Sequence, residues 1–415
     1  MKASPTESAG TAGTGAPRST SMPPRMTGMV QASLRAVQAW VEQRDYRGYD
    51  PGDGLTSFLR PLTRGTLLGE RLLQQLVWKF PFNLRPLVGV VPLESTKGRG
   101  FMAGGYARLA AAGDESAAEK ARACLAWLVT HREAGHAGPC WGNHFDFSTR
   151  GGRIPAHTPT IVWTSLIGHA FLEAHAVLGD DRHLDVAAGA CRWILTLPRE
   201  RTDDGACLSY TSLNVNPVHN ANLLGAGLLA RTWALRPEPA FRSAARAAVA
   251  YSCRCQRPDG SWWYGEAPHY RWIDSFHTAY NLDSLKRYVD ATGDEEFRPH
   301  LARGYDYYRR VFFETDGRPR YYHNRAHPVD IQCAAQAIDT FCLFSDDDPG
   351  ALARASMIAS WTIRNMQAAD GHFIHRRYPL LRASTPYLHW GQATMFHALS
   401  HLLLRLARRP VSTPS

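Results

Sequence analysis

The chain is predicted to be all-α, an (α/α)6 toroid (a six-hairpin barrel) with short β-like loops on one rim. Three observations carry that expectation. An Asp-Gly pair recurs at 204–205, 259–260, 316–317 and 370–371, at intervals of 55, 57 and 54 residues. Self-similarity at such a period marks a repeat architecture. Each unit holds two helical windows: a strongly apolar one after the loop, and a second one just before the next Asp-Gly. The links between the paired windows are short ("LGDD", "ATGD", "SDDDPG"), so the partners are antiparallel neighbours.

Residues 1–28 are rich in Ser, Thr, Gly, Ala and Pro and can bury almost nothing, so a disordered tail is expected. Helical windows follow at 31–44 and 64–79, and 97–111 with 116–131 makes a hairpin. "GPCWGNHFDF" at 138–147 opens a unit with a longer interval, leading to helices 159–178 and 182–197. The later pairs are 218–235 with 239–256, 275–291 with 295–313, and 328–344 with 350–367. Helix 389–407 needs a partner, which 31–44 or 64–79 could supply. Six hairpins then close one domain over 29–409, first helices inside and second helices outside, with 410–415 as a second disordered tail. An open helical solenoid is the alternative. An Asp-Gly at 53–54 lies off the phase of the others.

Composition narrows the function classes. The net charge is +10, and of 47 basic residues only five are Lys. Codon bias toward Arg explains this blandly; a basic surface facing an acidic partner explains it functionally. No basic run is interleaved with aromatics, so no nucleic-acid partner is expected. The first residues lack the apolar core of a secretory signal, and no run approaches the roughly eighteen apolar residues of a span. A cytoplasmic protein without stable membrane insertion is therefore expected. "LLLRLARRP" near the end reads more simply as a helix with a basic C-terminus than as a membrane contact. Most of the eight Cys lie in apolar helical windows, and Cys253-x-Cys255 is not a zinc spacing. No metal site, disulfide framework or cofactor is expected.

Each inner helix opens on a capping or Pro signal: Thr158-Pro159, His219-Asn220, Asp274, Asp330, and His389-Trp390 with Gln392. Taken singly, these residues read as N-caps that satisfy orphan N–H groups. Taken together they read as a site, because parallel inner helices bring their N-termini and the post-Asp-Gly loops to one rim. Such a rim favours anions and forms a deep cleft. Candidates for proton transfer there are His277, Asp274, Tyr264, Tyr322, His219, Asp330 and Glu266. Candidates for substrate binding are Trp141, His144, Asp146, Tyr210, Asn220, Trp262, Arg376, Trp390 and Gln392. Glu266, beside Trp and Tyr, is either a general acid with a raised pKa or a solvated loop carboxylate. Asp274 reads as a cap that also faces the cleft, and His277 as the stronger candidate for chemistry. The expected partner is a glycan or a sugar-containing small molecule.

The strings "SWWYGE…WIDSFHTAYNLDSLKRYVDATGD", "VHNANLLGAGLLAR" and "GYDPGDGLTS" resemble a family of bacterial and archaeal proteins of the VpsJ type, associated with polysaccharide biosynthesis. The resemblance covers residues 45–407. It implies a setting in glycan assembly more than a reaction. The chain is also distantly similar to the toroidal domain of D-glucuronyl C5-epimerases and to six-hairpin glycosidases. "QRPDGSWW" fits the Gln-x-x-x-Gly-x-Trp motif of squalene and terpene cyclases, with "QAADGHF" as a relaxed copy. In those proteins the motif ties one helix to the next, which supports the toroid without carrying the cyclase reaction. "SDDDPG" is the nearest run to the acidic motif a cyclase needs, and it reads as a helix connector.

Four functions follow. A C5-epimerase or lyase needs acid/base groups beside a held carboxylate. In that reading Tyr264, Tyr322, His219 and His277 move protons, and Arg376 holds the carboxylate. A glycosidase needs two carboxylates, about 5 Å apart if retaining and roughly 6.5–9.5 Å if inverting. A non-catalytic glycan-binding or assembly protein needs only caps and stacking aromatics. A terpene-cyclase-like protein is the fourth.

Overall fold

The computed structural model describes residues 24–408. The expected tails fall mostly outside the described residues, which exclude 1–23 and 409–415. The first boundary shifts: helix α1 spans Pro24–Glu42, so residues 24–28 belong to the toroid. Proline is at home at the start of a helix, where its missing N–H costs nothing.

Helix α2 spans Leu67–Lys79. The inner ring is built from α3 (Thr96–Ala111), α5 (Ile161–Leu178), α7 (His219–Leu235), α9 (Ser275–Thr292), α11 (Ile331–Leu343) and α13 (Ala393–Ala407). The outer ring is α4 (Glu115–Thr130), α6 (Asp181–Leu195), α8 (Pro239–Arg254), α10 (Arg298–Val311), α12 (Ala351–Met366) and α1. Each inner helix packs on the next, and α13 packs back on α3, so the ring closes and the open solenoid is excluded. Of the two candidate partners for α13, the first is correct: α1 packs against α13 and α12. Helix α2 instead packs on the 53–56 turn and the 147–149 strand.

The inner helices are buried on nearly every side, which suits the middle layer of two rings. Helix α5 is long and apolar enough to cross a membrane, contrary to the expectation, with a mean hydropathy of 1.4. Its place in the inner ring accounts for that composition, because 61% of the window is buried there. All eight cysteines are free.

The repeated glycine has a structural cause. A Cβ at Gly205 would sit 2.5 Å from the carbonyl oxygen of Ala247 in α8. At Gly260 it would sit 2.4 Å from that of Arg303 in α10, and at Gly371 2.6 Å from that of Ala36 in α1. Gly317 meets Met357 of α12 at 2.8–3.0 Å, and Gly138, in the longer unit, abuts the Gly189 backbone of α6. Each unit therefore presses a bare backbone turn onto the next outer helix. The Gln-x-x-x-Gly-x-Trp motif reinforces the seat. Gln256 donates to the carbonyls of Gly260 at 3.0 Å and His300 at 2.9 Å. Its copy Gln367 donates to Gly371 at 2.9 Å and to Ser33 of α1 at 3.1 Å, across the seam of the ring.

Gly260 also has φ +93°, a conformation that L side chains rarely adopt. Gly260→Ala should lower unfolding free energy by about 2–4 kcal/mol, since strain and overlap act together. Gly293→Ala is the control, with φ +66° and nothing within 4 Å. It should cost only about 1 kcal/mol. Chemical denaturation of the two variants checks the difference.

Candidate functional site

All six inner helices start on one rim, and side chains cap four of them. Gly98 N–H donates to Ser95 Oγ at 3.2 Å, Trp163 N–H to Thr160 Oγ1 at 3.1 Å, His277 N–H to Asp274 Oδ1 at 3.0 Å and Gln332 N–H to Asp330 Oδ1 at 2.8 Å. Thr160, not Thr158, caps α5. Helices α7 and α13 start without a side-chain cap. The amide oxygen of Asn220, in the first turn of α7, is buried with no protein partner.

One cleft on this rim lies at the start of α9. It is lined by Asn220, Trp263, Tyr264, Trp272, Asp274, His277 and Asn281, with the fully buried Trp262 behind them. Asp274 does two jobs. Its Oδ1 caps the helix, while its Oδ2 lies 2.7 Å from His277 Nδ1 and accepts from Trp272 Nε1 at 2.9 Å. A carboxylate on Nδ1 fixes the tautomer and leaves Nε2 available to a ligand. Nε2 of His277 takes no protein hydrogen bond among the described residues, and the side chain is 20% exposed. The ring is held between Phe276 (3.9 Å) and Tyr264 (4.6 Å), and Tyr264 stacks on Trp272 at 4.4 Å. Asn281 Oδ1, like Asn220 Oδ1, is buried without a protein partner. Two unpaired acceptors in one cleft suit hydroxyl donors of a ligand.

Across the bore from α9 stands α3, three places round the ring, and it carries Lys97 in its first turn. The Lys97 ammonium lies over the rings of Trp163 (4.7 Å), Phe101 (5.8 Å) and Trp390 (5.9 Å). It makes no ion pair or hydrogen bond with the described residues. Burial pulls its pKa down to about 8, against the pull of nearby Asp50. A second His–Asp pair adjoins it: His389 Nδ1 is 2.7 Å from Asp50 Oδ1, and both are buried. Trp390 joins the two sides, with Phe276 at 5.4 Å and Trp78 of α2 at 6.3 Å.

Several expected site residues are placed elsewhere or already engaged. Trp141 is fully buried, its indole N–H on the Leu128 carbonyl at 2.9 Å. Trp262 donates to the Ser252 carbonyl at 2.8 Å, and Gln392 is spent on both backbone groups of Phe373. These three are scaffold because each buried polar group must be paired. Asp146 pairs with Arg60 and accepts from Ala156 N–H at 2.8 Å. Asp330 is wholly buried; beyond its cap it accepts from Arg376 Nε at 2.5 Å and Trp390 Nε1 at 3.2 Å. Arg376 is thereby neutralised, and it lies over Trp78 and Tyr321.

His219 and Glu266 form a pair of their own, Nε2 to Oε1 at 2.9 Å, with His219 Nδ1 3.1 Å from Ser252 Oγ. That hydrogen bond holds the Glu266 carboxyl below its usual range, the reverse of the raised value a general acid needs. Cys255 brings its sulfur into the same group, all ligand atoms lying within 4.8 Å of one another. Burial, aided by Glu266, pushes that thiol up to about 11, so it is protonated at neutral pH. Burial also raises the phenols of Tyr264, Tyr210 and Tyr322, which suits donors rather than bases. Tyr322 pairs its backbone with Asp274 beside the cleft, and the Tyr210 carbonyl accepts from Ile161 N–H at 3.0 Å. His144 is driven down to about 4, chiefly by burial, and is neutral.

Sequence reasoning passed over Lys97, Trp163 and the Asp50–His389 pair. One signal for Lys97 was available: a Lys just inside a Ser-capped helix, in a chain that otherwise uses Arg. Lower in the bore, a second cavity is lined by His169, Glu173, Tyr280, Asp283, Arg287, Gln336 and Asp339. Burial raises Asp283 there to about 7, with Gln336 donating to its Oδ2 at 2.8 Å.

Scaffold and chemistry separate by stability. Asp330→Ala strands the Arg376 charge in the interior and should cost about 3–5 kcal/mol. His277→Ala leaves Asp274 with its Trp272 and helix partners and should cost less than about 1 kcal/mol. Guanidinium unfolding of both variants measures this.

No protein-family model matches the chain, and no curated relative matches either. Solved structures do match. An unsaturated glucuronyl hydrolase specific for heparin is similar at a TM-score of 0.62 and 12% identity, over 91% of this chain and 96% of that one. A sugar epimerase from a ruminal bacterium gives 0.58 and 13%, over 77% and 89%. A GH76 α-mannanase of Bacteroides thetaiotaomicron gives 0.57 and 13%, over 75% and 86%. At these identities the shared property is the fold: the chain is an (α/α)6 toroid.

Proposed function

We propose that the chain is a carbohydrate-modifying enzyme of polysaccharide assembly that abstracts a proton beside the carboxylate of a uronic-acid-containing glycan, as a C5-epimerase or lyase does. The observation that carries this reading is the Asp274–His277 pair, with Nε2 free beside an aromatic cleft. An imidazole whose Nδ1 is held by a buried carboxylate presents Nε2 as a base. His277 takes the C5 proton, and Asp274 stabilises the imidazolium that forms. The carboxylate of the sugar needs a cation as charge moves onto it. Lys97 has that role, because Arg376 is already neutralised by Asp330. Its place across the bore from α9 also suits delivery of a proton to the opposite face of C5. Asn220 and Asn281 take ring hydroxyls, and Trp272 and Trp390 offer stacking faces.

The sugar-active neighbours of the same fold support a saccharide substrate, since their names include an epimerase and a glucuronyl hydrolase. Hydrolysis fits this chain less well. The candidate carboxylates Asp146, Asp274, Glu266 and Asp330 each hold a cation, a histidine or a cap, so none is a free acid or nucleophile. The cyclase reading loses its acidic motif. Asp346, Asp347 and Asp348 of the α11–α12 connector bind Arg405, Lys286 and Tyr305 on the far side of the ring.

Incubation with acidic and neutral oligosaccharides in D2O, followed by NMR, tests the reaction. Deuterium should enter at C5 of a uronate, and His277→Ala should lose this by at least about a hundredfold, the usual worth of a general base. New reducing ends without deuterium would indicate hydrolysis instead. No change in any sugar would favour a binding or assembly role.

A second test concerns Lys97. Its ammonium is present below about 8 and lost above it. Affinity for an acidic oligosaccharide should therefore fall as pH rises through that value. Lys97→Arg should abolish the step while keeping affinity at neutral pH, which titration calorimetry reads.

A further inference from the structure

The stretch between α1 and α3 breaks the repeat and forms a lobe on the rim. Its small core is Leu55, Leu73 and Val77. Its outer face is apolar to an unusual degree. Of the seventeen exposed large apolar side chains among the described residues, ten lie between Phe58 and Leu93. Four more, Leu213, Val215, Leu380 and Leu381, lie in loops of the same rim. On α2 the most exposed apolar residues are Leu68 (67%), Leu72 (62%) and Leu76 (53%), spaced four apart and so on one helix face, with Leu67 beside them. The opposite face of α2 holds Leu73 and Val77 in the lobe core, and Trp78 on the bowl. Soluble surfaces rarely concentrate so many exposed apolar side chains in one segment unless something covers them.

The charges around the patch say what covers it. Between residues 54 and 93 the only acid is Glu70, which is 1% exposed and bound to Ser148, Arg153 and Arg60. Arg64, Arg71 and Lys79 lie in the same stretch with no ion pair among the described residues, and Arg382 adjoins Leu380 and Leu381 in the same state. Between residues 54 and 93 the surface is thus apolar and cationic, with no exposed acid in that stretch. A second copy docking by a twofold axis would set these cations against themselves. Leucines on one helix face, flanked by Arg and Lys, match the interface of an anionic bilayer.

We propose that the 58–93 lobe docks on an anionic membrane surface, with α2 lying in the plane of the lipid interface and the rim bowl beside it. This attachment is peripheral and does not depend on the reaction carried out in the bowl.

Sedimentation of the full chain with vesicles tests it, using phosphatidylcholine alone or with about one third phosphatidylglycerol. The chain should bind the anionic vesicles, bind the neutral ones far more weakly, and be released by high salt. Arg64→Glu with Lys79→Glu should weaken binding at least about twentyfold, at about fivefold per cation removed. Leu68→Gln, Leu72→Gln and Leu76→Gln together should abolish it. These positions are exposed, so circular dichroism and the melting temperature should be unchanged; if the leucine variant unfolds, the charge variant alone decides. Equal binding to both vesicle types, no binding to either, or binding untouched by the charge variant would overturn the proposal. So would a dimer in light scattering that the leucine variant dissociates, which would assign the face to a second copy.

Discussion

The architecture depends on backbone-to-backbone contact at the end of each unit. The Asp-Gly turn rests on the carbonyls of the next outer helix with no side chain between them. That contact sets the lateral step from one hairpin to the next. A ring tolerates little error in this step, because misfit at each seat accumulates until the last hairpin meets the first. Here the last seat is Gly371 on Ala36, so the N-terminal helix completes the circle that the C-terminal helix leaves open. Gln256 and Gln367 hold two of the seats by bonding both sides at once. The period is visible as glycine because any Cβ would displace a helix.

The closed ring in turn fixes what the rim can do. Six N-termini converge, and four of them take a side-chain cap. Two of those caps are carboxylates with opposite fates. Asp330 is surrounded by Gln332, Arg376 and Trp390, and nothing of it remains for a ligand. Asp274 keeps one oxygen for the cap and gives the other to a histidine whose far nitrogen is open. Capping a helix and holding a histidine are therefore compatible in a single residue, and the neighbour decides whether both occur. Towards the other end of the bore, Arg108 sits in the last turn of α3 between Asp339 (2.6 Å) and Glu173 (3.0 Å). There the helix dipole favours a cation, and the buried charges compensate one another.

The elements legible in the sequence are those whose cause is local. Asp-Gly turns, N-caps at Asp274 and Asp330, short connectors and apolar inner helices all arise within a few residues. The Asp274–His277 pair was legible for the same reason, being i and i+3 on one helix. Partners distant in sequence were not. Asp50 meets His389 across 339 positions, and Arg376 meets Asp330 across 46, so the first pair was missed and the second was read as two free groups. Aromatic residues were over-read for a related reason. Trp141 and Trp262 follow the turn as a substrate platform would, yet the turn itself buries them, and only the position of the neighbouring outer helix shows this.

The off-phase Asp53-Gly54 marks the part of the chain the repeat does not explain. Asp53 does not seat an outer helix; it takes the guanidinium of Arg85 through both oxygens, at 2.7 and 2.9 Å, and so pins the ends of the lobe together. Once pinned, the lobe sends Asp50 to His389 and Trp78 to Trp390, completing the half of the bowl around Lys97. Its other face is the row of exposed leucines. A repeat that closes by backbone contact needs none of these residues. Where a regular sequence departs from its own rule and is not compensated within the fold, the reason lies outside the fold. In this lobe the inward departure supplies the bowl, and the outward one supplies a surface for something the toroid itself does not contain.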